Sequence, residues 1–227
     1  MYIRIACFLL SLFTLSSAYA TIDSFAKLWL VGAFIGPLSE ENKNWKYYIE
    51  PRFAAINDKY GLSEIHMYTG IGYKIAPCFT PYMGYAYYIS DSTSGVISHE
   101  NVIWQQSIWD IYKSDRVSLS NRARFEERKN TQFAEWACRL REQFTLKLPF
   151  QNTKYSFAIF DELFFNLNHP LWVSNRFLAQ NRLFLGIEKK LTKTSTLDIG
   201  YLNQIDLERQ NRNLLTNGLY IKLHVNS

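Results

Sequence analysis

The stretch VSLSNRARFEERKNTQFAEWACRLREQFTL, Val117–Leu146, decides the fold. Its first half alternates: Val117, Leu119, Asn121, Ala123 and Phe125 fall on one parity, and Ser118, Ser120, Arg122, Arg124, Glu126 and Arg128 on the other. After a polar turn at Lys129–Gln132, Trp136, Cys138, Leu140, Phe144 and Leu146 share one face, while Arg139, Arg141 and Gln143 share the opposite one. Successive side chains of a strand point to opposite sides of its sheet, so a period of two sustained this long specifies two strands. Joined by a polar loop, they form a hairpin with one apolar and one densely charged face.

The same alternation recurs along the chain. Clear strands run over Trp45–Ala55, Glu64–Ile75, Tyr82–Ser90, Tyr155–Phe165, Arg176–Glu188, Ser195–Ile205 and Asn213–Val225. Two further segments, Phe25–Ile35 and Glu100–Tyr112, are apolar with poorly distinguished faces. Pro51 sits within a strand although it cannot donate to a ladder, which suits an edge or a bulge. With the opening hairpin this makes eleven candidate strands, and no helical period fits any of them as well. The connections after the second, fourth, sixth, eighth and tenth strands are longer and polar, the others short, as in outer-membrane barrels. Single-chain bacterial barrels have even strand numbers. The expectation is therefore ten strands beginning near Trp45, or twelve with one unrecognised.

The ends and the composition agree with export. Arg4, the apolar Ile5–Leu15 and Ala18-Tyr19-Ala20 have the form of a signal peptide over residues 1–20, which leaves a barrel domain over 21–227. The apolar run is too short to span a membrane as a helix. With 15 Tyr, 16 Phe and 6 Trp, aromatics make up 16% of the chain, which suits strands and the interfacial girdles of membrane barrels. The net charge of +5 would permit nucleic acid, but the basic residues alternate along strands instead of clustering, so no nucleic-acid partner is expected. Cys78, in a turn, and Cys138, in a strand, are expected to be unpaired. No Cys or His spacing suggests a metal, and no cofactor motif is present.

Alternation does not say which face is wet. A lipocalin-like barrel would turn its apolar face inward. Strands of this length cross a membrane when tilted, and so many bulky apolar side chains could not be packed inside a closed barrel lacking a large ligand cavity. The apolar face is therefore expected to meet outer-membrane lipid and lipopolysaccharide of a Gram-negative cell. The charged face should then line the lumen: Glu50, Arg52, Arg122, Arg124, Glu126, Arg139, Arg141, Glu162, Gln180, Arg182 and Gln204. Rows of arginine favour small anionic solutes in a passive channel. The alternative is a cross-strand charge lattice filling the lumen of a structural or surface-binding barrel. Asn121, Glu142, Asp161 and Asn181 fall on the apolar parity, where bulges or interfacial positions would accommodate them. His66, near Glu64 and Ser63, is the one candidate for a lipid hydrolase, and a lone His is a weak signal, so no catalytic residue is assigned.

Several strings occur in order: Ile103-Trp104-Gln105-Gln106, Leu119-x-x-Arg122-x-Arg124-x-Glu126-x-Arg128, Arg139-x-Arg141, Asp161-Glu162, Gln180-Asn181-Arg182 and Gly200-Tyr201-Leu202-Asn203-Gln204. Together they resemble a porin-like family of uncharacterised Gram-negative outer-membrane barrels, known only as a domain of unknown function. The resemblance covers nearly the whole mature chain. It implies a single antiparallel barrel and no established activity, and it brings no catalytic residues with it. The chain departs from such barrels at Val225-Asn226-Ser227, which lacks their terminal aromatic.

Overall fold

The structure, a computed structural model, describes residues 21–58, 61–91, 95–208 and 212–227; the segment read as a signal peptide lies outside them. Eleven strands among these residues close into one barrel: β1 (Thr21–Pro37), β2 (Trp45–Ile56), β3 (Glu64–Tyr73), β4 (Phe79–Asp91), β5 (Ile97–Lys113), β6 (Ser118–Asn130), β7 (Trp136–Pro149), β8 (Tyr155–Asn166), β9 (Leu178–Lys190), β10 (Ser195–Leu207) and β11 (Arg212–Asn226). Each pairs antiparallel with its sequence neighbour, and β1 closes the cylinder by pairing parallel with β11, from Thr21↔Arg212 to Ile35↔Asn226. Both even-numbered expectations are thereby corrected. The apolar segment at 25–35 is a barrel strand, and a parallel seam makes the odd number possible. The parallel seam also places the start of β1 at the end bearing the longer loops, and the end of β11 at the short-turn end.

Following register partners from Ala26 through Asn217, Asn203, Leu183, Asp161, Phe144, Asn121 and Trp109 to Phe79 leads steadily from the long-loop end to the short-turn end. A full circuit accumulates a stagger of about 14 residues, which for this strand number means a tilt of roughly 40°.

Because the period is two, each strand commits one parity to each side of the wall. Leu30, Ile49, Ile71, Met83, Ile103, Phe144, Leu185, Ile199 and Leu219 are exposed on the outside. Lys27, Glu50, Glu100, Arg124, Glu126, Arg141, Glu162 and Lys222 are buried inside. That is the reverse of a lipocalin-like barrel. Pro51 lies within β2 rather than on an edge; it faces outward beside Gly32, and the β1–β2 ladder is interrupted between Val31↔Arg52 and Phe34↔Ile49.

Aromatic side chains also enter the interior where the wall makes room. Gly70 and Gly84 are register partners, and a Cβ on either would stand 2.7 Å from the Trp104 ring. Gly186 and Gly200 repeat the device beneath Phe184. Trp104 then packs with Tyr48, Tyr68, Tyr82 and Tyr88 toward one side of the lumen, and Phe184 with Trp29, Leu202 and Tyr220 toward the other.

The parallel seam is directly testable. Leu28 and Leu219 are register partners on it, at the Cα separation that adjacent strands share and that a disulfide bridges. In a Cys78→Ser/Cys138→Ser background, Leu28→Cys with Leu219→Cys is expected to form a disulfide on oxidation. A ten- or twelve-stranded closure would leave the two thiols free.

Candidate functional site: a filled lumen beneath a vestibule

Three carboxylates occupy the middle of the barrel, each held by guanidinium groups from neighbouring strands. Glu126 on β6 accepts from Arg139 Nη2 (2.5 Å) and Nε (2.9 Å), from Arg141 Nη1 (2.8 Å) and from Tyr88 Oη (3.1 Å). Glu162 on β8 accepts from Arg141 Nη2 (2.6 Å) and Arg122 Nη2 (2.7 Å). Glu50 on β2 accepts from Arg52 Nε (2.8 Å) and Tyr48 Oη (2.7 Å), and Arg122, Arg124 and Lys222 approach it at 3.7–3.9 Å. Arg141 thus bridges two carboxylates, and its Nη1 also donates to Tyr68 Oη at 2.8 Å.

Arg124 is the innermost cation. Its Nε donates to Gln106 Oε1 at 2.8 Å and its Nη2 to Tyr48 Oη at 3.0 Å, and the guanidinium lies 4.3 Å from the Tyr68 ring centre and 5.1 Å from that of Trp104. A planar, weakly hydrated guanidinium is the cation suited to combined stacking and forked donation in a dry site. Arg139, Arg141 and Arg182 gather round Phe164 at 5.3, 4.6 and 5.0 Å. Arg182 Nε donates to Gln204 Oε1 (2.9 Å), and Gln204 and Gln180 both donate to Asp206.

The eleven residues read from the sequence as lumen-lining are all buried or half-buried, on the strand parity opposite the exposed apolar wall. Arg52, Arg122, Arg124, Arg139, Arg141, Glu50, Glu126 and Glu162 join one lattice, with Arg182, Gln204 and Gln180 at its margin. Tyr48, Tyr68, Tyr88 and Trp104, which the sequence reading does not single out, pack into the same buried layer. Tyr68, Trp104, Arg124 and Glu126 are all 0% exposed. Cavities lie on both sides of this layer, and a small one of about 20 Å³, bordered by Arg52, Arg122, Glu162, Arg182 and Lys222, lies beside it. A cavity of about 130 Å³ lies on the long-loop side of this layer, bordered by Arg52, His66, Arg139 and Arg182. Another of about 110 Å³ lies on the short-turn side, bordered by Glu50, Arg122, Lys222 and His224.

Above this layer, a vestibule of about 580 Å³ opens at the long-loop end. Its wall carries Lys27 paired with Glu64, and Arg128 paired with Glu100 at 2.7 Å. The β8–β9 connection folds across this mouth. Trp172 stacks on Phe133, lies 5.2 Å from the Arg128 guanidinium and donates to the Glu135 carbonyl, and Val173 is buried. Asn168 Nδ2 donates to the Trp136 carbonyl, its Oδ1 accepts from the Cys138 amide, and Ser174 Oγ donates to the Leu207 carbonyl. These contacts tie the loop to β7 and β10.

The candidate hydrolase residues form no relay. The His66 ring packs at a tilt against Tyr88 with centres 4.2 Å apart, Glu64 is engaged by Lys27, and the Ser63 hydroxyl donates to the Ala54 carbonyl. Among the described residues Cys78 and Cys138 are free thiols, and no group of three or more His, Cys, Asp or Glu could hold a metal.

Residues 26–214 match the model of a family described as protein of unknown function (DUF2490), and the chain belongs to that family. An uncharacterized protein of Methylorubrum extorquens is 29% identical over 180 residues, covering 78% of this chain and 77% of that one. Among solved structures, a NanC porin superposes with a TM-score of 0.47 at 12% identity, covering 83% of this chain and 94% of the porin.

Removing one partner of a buried ion pair strands the other. Glu126→Gln is expected to lower the unfolding free energy of the barrel by about 3–5 kcal/mol, because Arg139 and Arg141 lose their shared acceptor. Glu135→Gln, in an exposed turn, should change it by no more than about 0.5 kcal/mol. Urea titration of the detergent-folded protein, followed by electrophoretic mobility, measures both.

Proposed function

We propose that this protein is an outer-membrane barrel whose lumen is closed by its own side chains, and that it works at the membrane's outer side through the long-loop vestibule. The membrane reading is supported by the apolar outer wall and by its aromatic borders. Trp45, Tyr73, Phe79, Trp109 and Tyr155 lie toward the short-turn end, and Trp136, Phe165 and Phe177 toward the other. Such girdles mark the two interfaces of an outer-membrane barrel. In hydrocarbon a sheet must also leave no open edge, a requirement the β1–β11 seam meets. The targeting segment read at residues 1–20 supplies the export this location needs, and lipid and lipopolysaccharide are the surroundings it implies.

The observation that carries the closed-lumen reading is the layer of Arg124, Glu126, Arg141, Tyr68 and Trp104, none more than 2% exposed. A pore for passive diffusion needs a continuous wet path, and its lining groups keep access to water. Here the charges are instead spent on one another. One feature favours a second reading, a small channel with anion preference: five arginines share three glutamates in this layer, an excess of positive charge that would select anions along any path that opened.

Planar-bilayer recording separates the two readings. The purified protein is expected to be silent under applied voltage. Tyr68→Ala with Trp104→Ala, which opens the layer while keeping its arginines, is expected to give steps selective for chloride over potassium. Ohmic, anion-selective steps from the unaltered protein would establish the passive channel in place of the closed lumen.

A further inference from the structure

The outward polar residues Asn121, Glu142, Asp161 and Asn181 are not displaced from the apolar wall. The register holds at Asn121↔Phe144, Ala123↔Glu142, Phe144↔Asp161 and Leu163↔Asn181; the bulges at Phe164/Phe165 and Asp110/Tyr112 lie just beyond these pairs and leave the four side chains on the outer face, which corrects the expectation that bulges would accommodate them. They pair on the outer surface instead. Asn121 Nδ2 donates to Glu142 Oε2 at 3.0 Å, and Asn181 Nδ2 donates to Asp161 Oδ1 at 2.5 Å. Glu142 and Asp161 lie midway along β7 and β8, far from either aromatic border.

This arrangement is poorly suited to lipid. Each carboxylate has one amide donor from the outer wall, and polar groups at that depth are ordinarily covered by protein. The same wall carries a complementary set one strand to the other side of β6. Gln105 and Ser107 on β5 face outward; Ser107, Ala123 and Glu142 are successive register partners across β5, β6 and β7, and because the strands tilt, Gln105, two residues nearer the long-loop end than Ser107, stands closest to the depth of Glu142. Donors therefore stand on one side of Ala123 and acceptors on the other. A groove of about 570 Å³ on the neighbouring wall, lined mainly from β3–β5 by residues such as Ile71, Met83 and Gln105, reaches Ala123, Phe125 and Leu140 at its edge.

From this we propose that the outer face of β5–β8 is the interface with a second copy of the chain, related by a two-fold axis along the membrane normal that passes near Ala123. Such an axis preserves depth and sets β5 of one copy against β7 of the other. It brings the Gln105 amide of each protomer to the Glu142 carboxylate of its partner. The self-complementary patch that an isologous dimer requires is then present on one protomer. The small side chains at the axis let the two walls approach. The inference rests on the membrane reading, and the test keeps the two apart.

In the Cys78→Ser/Cys138→Ser background, Ala123→Cys is expected to give a disulfide-linked dimer on oxidation in native membranes, and the unaltered protein in lipid nanodiscs should show twice the mass of one chain. Glu142→Leu with Asp161→Leu, and separately Ala123→Trp, should halve that mass while the protein still migrates as a folded barrel before boiling. A folded, membrane-embedded protein of single-chain mass would overturn the dimer and leave the membrane reading intact. So would a dimer that Ala123→Cys does not link, a dimer indifferent to both changes, or a different protein found covering the patch. Failure to enter membranes at all would defeat both readings together.

Discussion

A strand of alternating character, once closed into a cylinder, must give one set of side chains to the inside and the other to the outside. The interior of an eleven-stranded barrel is narrow and the exterior is broad, so the choice settles nearly everything else. Here the broad surface is apolar and the narrow one ionic. The interior charges must then satisfy one another, because burying an ion without a partner is far more unfavourable than burying a hydrogen-bonded pair. The lattice of Glu50, Glu126 and Glu162 with the surrounding arginines is the consequence. Its geometry is set by strand adjacency, since β2, β6, β7 and β8 each present their charges at the same depth.

Buried ion pairs are not in themselves a source of great stability; an apolar filling of equal volume would often do as well. Their value here is in register. A one-residue slip of any strand would turn its charges to the outer wall and its apolar residues to the lumen. The glycine pairs beneath Trp104 and Phe184 work in the same sense, because those rings fit only where two facing residues lack a Cβ. Packing and charge together select one stagger for the whole cylinder, and with it the depth of the vestibule floor.

Much of this was legible in the residue order because the period-two signal is strongest where charge and grease alternate cleanly, as in Arg122-x-Arg124-x-Glu126 and Arg139-x-Arg141. It faded where aromatics occupy both parities. In β5, Val102, Ile103 and Trp104 gave no preferred face, and only the Gly84–Gly70 pair on the two strands beside it shows why Trp104 turns inward. β1 was obscure for a related reason: Trp29, Val31 and Ala33 face a lumen that is apolar at that point, so its two faces read alike. The strand number could not be counted from parity, since a parallel seam leaves no local mark on either strand. The tyrosines of the lumen were missed as site residues because a hydroxyl that serves a buried guanidinium looks, in sequence, like any other strand-forming aromatic.

Inward ions and outward hydrocarbon side chains are the central claim, and a nitroxide scan along β6 tests it most directly. Single labels placed in turn from Ser118 to Asn130 in the bilayer-reconstituted protein report accessibility to oxygen, which concentrates in lipid. The account predicts alternation with maxima at the positions of Leu119, Ala123 and Phe125, subdued at Ala123 if it lies against a second copy, and minima at Arg122, Arg124 and Glu126. Maxima at the arginine and glutamate positions, or no alternation, would contradict it.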